Sequence, residues 1–226
     1  MSTILITGAN RGIGLELTKQ YAAAGWTVIA CCRKPAEAKA LRAVKGAVEI
    51  QPLDVTKPAS LAKLKKALGN RPLDVLLNNA GVSGKRLGFG KTDPKDFLSV
   101  LHVNTVAPLL VTEALLGNVR RGKLKKIVSI SSKMGSIGDG PAGGAYAYRA
   151  SKTALNMVMV NAAGELKGKG IAVAVLHPGW VRTDMGGRSA PLKVSESAAG
   201  IVKVIDGLDL ATTGRFINYD GKPLPW

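Results

Sequence analysis

Tyr148 and Lys152 are the first candidates for chemistry, because together they can move a proton to or from an oxygen atom. They are four residues apart in a stretch with a helical pattern, so both side chains share one face of that helix. A phenol has an ordinary pKa of about 10, and a nearby ammonium group lowers that pKa. Tyr148 would then donate a proton to a carbonyl oxygen as hydride arrives, or remove one from an alcohol. A Tyr and a Lys at this spacing are also common in ordinary helix packing, so the pair needs independent support.

Two serines after a predicted strand offer that support. The strand covers 127–131, and a serine hydroxyl at its end would hold the same carbonyl oxygen. Side chains alternate along a strand, so only one of Ser131 and Ser132 faces such a site. The other serine has a packing or turn role.

The elements that must position these residues alternate between short β-branched runs and longer helical stretches. The sequence predicts helices near 13–24, 36–43, 59–68, 95–116, 147–167 and 196–206. It predicts strands over 3–7, 27–31, 48–53, 75–78, 127–131, 172–177 and 216–219. This alternation predicts an α/β fold: a single Rossmann-type doubly wound domain over 1–226, with about seven parallel strands and helices on both faces. In such sheets a ligand lies beyond the carboxyl ends of the strands, so the residues after each strand are the ones to inspect.

A glycine-rich turn directly after the first strand is suited to a phosphate group. Residues 7–14 have the sequence TGANRGIG, with Gly8, Gly12 and Gly14 at GxxxGxG spacing. Such a turn exposes backbone N–H groups at a helix N-terminus, which favours a pyrophosphate. The spacing differs from the common GxGxxG fingerprint, and a glycine-rich turn without a ligand is the alternative. The position after the first strand favours phosphate binding.

The residues after the second strand favour NADP(H) over NAD(H). A site for NAD usually offers an acidic residue there to bind the ribose hydroxyls. This chain has Arg33 and Lys34 at that place, and Arg11 lies inside the glycine-rich turn. A 2′-phosphate would therefore meet cations. The alternative is that Arg33 and Lys34 only begin an exposed helix.

Several motifs together resemble the short-chain dehydrogenase/reductase family over essentially the whole chain. The TGANRGIG turn is similar to the family's phosphate loop, and residues 78–81 match its NNAG motif. Asn104 matches the family's helix asparagine, and Ser132, Tyr148 and Lys152 match its catalytic residues. Residues 177–183, HPGWVRT, look like its PG motif with the nicotinamide threonine. The HPGWVRTDMGG run and the NYDGKPLPW segment resemble the branch of C-factor and Sniffer-type carbonyl reductases.

The resemblance implies roles for these residues. Ser132, Tyr148 and Lys152 would be catalytic, and Asn104 would anchor a water that links Lys152 to solvent. The implied cofactor-binding residues are Gly8, Asn10, Arg11, Gly12, Ile13, Gly14, Arg33, Asp54, Val55, Asn79, Ala80, Gly81, Tyr148, Lys152, Pro178, Val181 and Thr183. The stretch between Ser132 and Tyr148 is a few residues longer than is usual in the family. The extra length falls in 138–144, so we transfer neither pocket shape nor subunit contacts from the family.

Composition limits the other possibilities. The chain has no basic leader and no uninterrupted apolar run of the length that a membrane span needs, and Cys31 and Cys32 are its only cysteines. Neighbouring cysteines on a strand point to opposite faces, so we expect free thiols and a cytoplasmic protein. His102 and His177 are isolated, so we expect no metal site.

The net charge of +17 is unusual and leaves the partners open. Basic residues that follow strands should ring the mouth of the site and steer an anionic cofactor, and perhaps an anionic substrate; they are Arg11, Arg33, Lys34, Lys85, Arg86, Lys133, Arg182 and Arg188. We expect a small carbonyl or alcohol substrate, an open pocket under the short segment 184–194, no specific nucleic acid, and a homodimer through the helices near 95–116 and 147–167. A nucleic-acid or membrane-surface binder rests on charge alone. A C-factor-like signalling protein with little turnover is the main alternative function.

Overall fold

The computed structural model describes residues 1–140 and 143–226, in which seven parallel strands form one sheet. The strands are β1 Thr3–Thr7, β2 Thr27–Cys32, β3 Val48–Pro52, β4 Val75–Asn78, β5 Lys126–Ile130, β6 Ala172–His177 and β7 Phe216–Asn218. Their order in the sheet is β3-β2-β1-β4-β5-β6-β7. This order reverses between β1 and β4, which is the topological switch point where such sheets bind ligands. The predicted α/β fold with a seven-stranded parallel sheet is confirmed.

Helices cover both faces of the sheet. They are α1 Gly12–Ala23, α2 Lys39–Arg42, α3 Pro58–Leu68, α4 Pro94–Leu101, α5 Ala107–Arg121, α6 Tyr146–Lys167 and α7 Val194–Gly207. Short 3₁₀ helices lie at Pro35–Glu37 and Lys133–Gly135, and a π-helical segment, His102–Val106, joins α4 to α5.

The core has two layers, one on each side of the sheet. Along β1, Ile4 and Ile6 belong to the layer beneath α1 and α7, whereas Leu5 belongs to the layer beneath α3, α5 and α6. This alternation is the period of two that a strand imposes. Because both faces are covered, the central strands are apolar without interruption and fully buried, as parallel sheets require.

The amino ends of the strands are held by two buried charged side chains. The Asp74 carboxylate accepts hydrogen bonds from the backbone N–H groups of Thr3 (2.8 Å), Lys123 (2.8 Å) and Leu124 (3.2 Å). The Lys126 ammonium donates to the carbonyl oxygens of Ile205 (2.8 Å) and Asp206 (2.9 Å), at the end of α7. Charge-assisted bonds of this kind close the sheet edge that lies away from the carboxyl ends.

Some predicted boundaries differ from the structure for local reasons. β5 ends at Ile130, so Ser131 lies beyond the strand and not within it. The predicted helix 36–43 is a 3₁₀ turn followed by four α-helical residues. The predicted helix 95–116 begins at Pro94, because the Asp93 carboxylate caps the N–H groups of Lys95 and Asp96. In the longer stretch 138–144, residues 141 and 142 lie outside the described residues.

The π-helical segment has an identifiable cause in Pro108. A proline within a helix has no N–H to give to the carbonyl four residues earlier, and its ring crowds that carbonyl. The carbonyl four residues before Pro108 belongs to Asn104. The helix widens here instead, and Ala107 donates to the carbonyl of His102, five residues back. The backbone oxygen of Asn104 is thereby left without its α-helical donor.

Within the described residues, one continuous helix, Pro94–Arg121, has the length and hydropathy of a membrane span. Its best 18-residue window has a mean hydropathy of 1.4, and 44% of that window is buried in the protein. Val111, Leu115 and Val119 of this helix pack in the core beneath the sheet. A core helix passes the same test, so the finding is weak evidence for a span.

Candidate active site

Thr7, the last residue of β1, ties the glycine-rich turn to the end of β4. Its hydroxyl oxygen accepts hydrogen bonds from the backbone N–H groups of Asn79 and Ala80, each at 3.0 Å. In return, the Asn79 side-chain amide donates to the carbonyl oxygens of Thr7 (2.9 Å) and Gly8 (3.1 Å). Asn79 therefore fixes the shape of the turn, in addition to lying where the resemblance places a cofactor ribose.

Two glycines of the turn are required by close backbone packing. A Cβ atom on Gly8 would lie 2.9 Å from the Cα atom of Ala80, and Gly8 also has a φ of +67°. A Cβ atom on Gly14 would lie 2.6 Å from the Asn79 amide nitrogen. The turn is thus a cradle of backbone that side chains would fill, with Asn10 and Arg11 exposed on its outer side and Ile13 half-buried against the core. This geometry fits a pyrophosphate at the start of α1.

The segment after β6 folds over this cradle. The methyl group of Thr183 lies 3.4 Å from where a Cβ atom on Gly12 would be, and the Arg11 guanidinium pairs with the Asp184 carboxylate at 3.0 Å. Val181 is buried, and the Pro178 carbonyl oxygen accepts a 2.6 Å bond from the Ser197 hydroxyl. The residues predicted to hold the nicotinamide end therefore lie against the phosphate end of the cradle.

The ends of β2 and β3 present one free cation. Arg33 is exposed, and no carboxylate of the described residues is within ion-pair distance of it, whereas Lys34 is paired with Glu37 at 2.9 Å. Hydrogen bonds from Thr56 lower the pKa of Asp54, and the charge of Arg33 adds to that effect. Of the two bases after β2, Arg33 is the one available to a 2′-phosphate. Val55 lines a narrow pocket together with Thr7 and Ala80.

Ser132 and Tyr148 face each other beyond the end of β5. The Ser132 hydroxyl caps the following 3₁₀ turn, accepting from the Met134 N–H at 3.2 Å, and interacts with the Tyr148 phenol. Ser131 is turned away, because its hydroxyl donates a 2.6 Å bond to the buried Asn156 side chain. The structure therefore places Ser132 toward the tyrosine and Ser131 in a packing role.

Lys152 lies one helical turn after Tyr148 and is fully enclosed. Its ammonium nitrogen is 5.9 Å from the centre of the Tyr148 ring and donates to the Ile130 carbonyl oxygen at 2.8 Å. Burial lowers the pKa of Lys152 to about 8. Burial raises the pKa of Tyr148, opposed by the Ser132 hydroxyl and the charge of Arg86. The expectation that Lys152 lowers the pKa of Tyr148 is wrong for the chain by itself, because loss of solvent outweighs the nearby charges.

Comparison with known proteins identifies the family. A family model described as short chain dehydrogenase matches residues 2–192. The chain belongs to the short-chain dehydrogenase family. It is 45% identical over 155 residues to the C-signal protein of Myxococcus xanthus, which covers 69% of this chain and 93% of that protein. It is 34% identical, over the full length of both chains, to a 1-hydroxy-2-glutathionyl-2-methyl-3-butene dehydrogenase of a Rhodococcus species.

Solved structures of carbonyl reductases share the whole fold. The carbonyl reductase Sniffer of Drosophila melanogaster superposes with a TM-score of 0.91 at 35% identity, with both chains fully covered. An NADPH-bound carbonyl reductase from chicken fatty liver gives a TM-score of 0.89 at 35% identity, covering 100% of this chain and 99% of that one. The resemblance to the C-factor and Sniffer branch is confirmed.

In this short-chain dehydrogenase, the side chain of Asn104 is fully engaged by protein. Its amide oxygen accepts from the Val82 N–H at 2.9 Å, and its amide nitrogen donates to the Val82 carbonyl oxygen and the Ser151 hydroxyl, each at 2.9 Å. Gly81 lies beside both Asn104 and Lys152, since a Cβ atom on it would be 3.3 Å from the Asn104 amide oxygen and 3.7 Å from the Lys152 nitrogen. A water near Lys152 would therefore meet the backbone carbonyl of Asn104, which Pro108 leaves without a helical donor.

Sequence reasoning missed the contact that sets the spacing between Ser132 and α6. Gly135 packs directly on the helix, because a Cβ atom on it would lie 2.7 Å from the Cβ atom of Lys152. The Gly135 carbonyl oxygen accepts bonds from the Thr153 hydroxyl (2.9 Å) and the Asn156 amide (3.4 Å). The only signal in the sequence was the glycine three residues after Ser132.

The remaining expectations for this site concern metals and thiols. Over residues 1–140 and 143–226, no group of three or more His, Cys, Asp or Glu side chains is arranged to hold a metal. Cys31 and Cys32 are free and buried, and burial raises the pKa of the Cys32 thiol. Burial lowers the pKa of His177 to about 4, which leaves a neutral imidazole near pH 7.

Proposed function

We propose that this chain is an NADP(H)-dependent oxidoreductase that reduces a small aldehyde, ketone or quinone, or oxidises the matching alcohol. The observation that carries the proposal is the convergence of Ser132, Tyr148 and Lys152 beside the glycine cradle, at the carboxyl edge of the sheet. We take the whole of 1–226 as one cofactor-binding domain. A cytoplasmic location stays a prediction.

The residues on the cradle fit NADP(H). Gly8 and Gly14 keep side chains out of the pyrophosphate position, and Arg33 offers an uncompensated guanidinium for a 2′-phosphate. The NADPH-bound chicken reductase supports the same choice of cofactor. When bound, the nicotinamide supplies or accepts the hydride. Val181 and Thr183, held over the cradle, are the residues that would orient its carboxamide.

The protein's part in the reaction is to hold the carbonyl oxygen and move one proton. The Ser132 hydroxyl would donate a hydrogen bond to that oxygen, and the Tyr148 phenol would give it a proton. Because burial raises the pKa of Tyr148, the phenol is protonated near neutral pH and ready to act as the acid. Lys152 would then return a proton to Tyr148, supplied through a water at the Asn104 carbonyl.

The protonated phenol favours reduction over oxidation in the chain by itself. The Rhodococcus relative is named as a dehydrogenase, so the physiological direction depends on the substrate and on the ratio of the two cofactor forms. The substrate segment, 184–194, is short and carries an exposed Met185 near an exposed Trp180, which suits an open pocket with broad tolerance.

The test follows loss of NADPH or NADH absorbance with a panel of aldehydes, ketones and quinones. We expect turnover with NADPH to exceed that with NADH, and Tyr148→Phe to abolish turnover while NADPH still binds. Ser132→Ala should lower kcat by about a hundredfold or more, the typical worth of a donor to a developing oxyanion. Ser131→Ala is the matched control and should change stability more than kcat. Full activity in the Tyr148→Phe variant would refute the assigned chemistry.

A signalling protein with little turnover is the second candidate, favoured by the 45% identity to C-signal. Tight NADPH binding without turnover on the whole panel would select it. A salt-dependent gel shift with duplex DNA and co-sedimentation with anionic vesicles test the two charge-based alternatives.

A homodimer is also a proposal. Leu98 and Met157, on α4 and α6, are exposed apolar residues on the two helices where we expect pairing. Sedimentation of the purified chain would distinguish a dimer from a monomer or tetramer.

A further inference from the structure

Arg86 spans the mouth of the site between two of the segments that flank Tyr148. It lies in the segment after β4, is exposed, and its guanidinium donates to the carbonyl oxygen of Met185 at 3.4 Å. Met185 belongs to the segment after β6. The guanidinium is therefore held across the opening and does not extend freely into solvent.

The carboxylates around the mouth are engaged by other cations. Asp93 is paired with Lys85 at 2.7 Å, and Asp184 is paired with Arg11 at 3.0 Å. Among residues 1–140 and 143–226, no carboxylate lies within ion-pair distance of Arg86. Its neighbour Lys85 thus has a partner, whereas Arg86 has only a long bond to a neutral carbonyl.

The charge of Arg86 also reaches the reacting group. It contributes to lowering the pKa of Tyr148 against the effect of burial, so the guanidinium is close enough to act on the phenol. Exposed apolar side chains, Met185 and Trp180, stand on the opposite segment. The opening therefore offers a proton donor, an apolar surface and an unpaired cation.

We propose that Arg86 binds a carboxylate on the substrate, so that the substrate class is an aldehyde or ketone, or the matching alcohol, with an apolar body and a carboxylate. The planar fork of a guanidinium matches the two oxygens of a carboxylate. The proposal rests on the proposed function, because it concerns the substrate of that same site. A bound carboxylate would also complete the partner that Arg86 lacks within the chain.

The experiment compares 3- and 4-carboxybenzaldehyde with their neutral methyl esters, using the full chain and NADPH. The measured quantity is the ratio of kcat/KM for each acid to that for its ester. A change in this ratio between variants is independent of the electronic difference between acid and ester. It is also independent of any general effect of Arg86 on Tyr148, which acts on both aldehydes equally. The variants are Arg86→Gln, Arg86→Lys and the control Lys85→Gln, which removes a paired charge next door.

We expect Arg86→Gln to lower the ratio for at least one isomer by about tenfold, the worth of one charge-assisted pair. Arg86→Lys should restore part of it, and Lys85→Gln should leave it unchanged. An equal loss for acid and ester, or a ratio that Arg86→Gln does not change, overturns this inference and leaves the reductase standing. Failure of the unaltered chain to reduce either kind of aldehyde removes the proposed function, and this inference with it.

Discussion

Replacing Lys152 by Met is predicted to stabilise the folded chain near neutral pH while it abolishes turnover. Burial lowers the pKa of Lys152 from 10.5 to about 8, so the charged ammonium is less favourable in the folded chain than in the unfolded one. Each pKa unit corresponds to about 1.4 kcal/mol. The charged lysine therefore costs about 3 kcal/mol of stability at pH values below 8.

The substitution also removes one favourable bond. The methionine side chain would occupy a similar volume without a charge, but the Ile130 carbonyl would lose the 2.8 Å bond from the ammonium. A buried acceptor left without its donor costs about 1 kcal/mol. The expected net gain is about 2 kcal/mol at neutral pH.

The gain must depend on pH in a defined direction. Between about 8 and 10.5 the folded lysine has released its proton while the unfolded lysine still holds one. The unaltered chain therefore becomes more stable as pH rises through this window, and the advantage of the Met variant disappears. Urea unfolding of the cofactor-free chain below, within and above the window measures this.

Lys167→Met is the matched control, because Lys167 is an exposed lysine in the last turn of the same helix. It should give no gain, since a cation near a helix C-terminus is mildly stabilising. A Lys152→Met variant that is less stable below pH 8, or whose difference from the unaltered chain does not change with pH, would refute the reasoning.

Three further outcomes are expected. Pro108→Ala restores an N–H that can close the α-helical bond to the Asn104 carbonyl, so steady-state kinetics should show a lower kcat without loss of thermal stability; an unchanged kcat would contradict the proton route. Gly135→Ala should destabilise the chain by about 1–3 kcal/mol through overpacking on α6 and lower kcat. Gly164→Ala, on an open helix surface, should raise stability by up to about 1 kcal/mol in the same denaturant assay. Arg33→Ser should reduce the preference for NADPH over NADH by about tenfold or more, and an unchanged cofactor ratio would remove Arg33 from the phosphate site.

The sequence predicted the site where chemistry depends on local spacing. The four-residue interval from Tyr148 to Lys152 and the glycines of the turn are local patterns, and the structure brings them together as expected. Period-two alternation left Ser131 and Ser132 unresolved, because the choice depends on β5 ending at Ile130.

Other features depend on contacts between distant parts of the chain. The pairing of Arg11 with Asp184 joins residues 173 positions apart, and no local pattern reveals it. The direction of the Tyr148 pKa depends on how much solvent the surrounding elements exclude, which spacing does not specify. The widened helix at Asn104 was readable in principle, since Pro108 follows at the position that disrupts an α-helical bond.

The two edges of the sheet divide the molecule into a part for persistence and a part for chemistry. Asp74 and Lys126 secure the amino edge, far along the strands from Tyr148. Because coupling between distant, unshared sites is small, substitutions at the two edges should combine additively. An engineer could therefore raise heat tolerance by reworking the amino edge and choose substrates by reworking the opposite loops. The same separation would let a lineage change its substrates without renegotiating its stability.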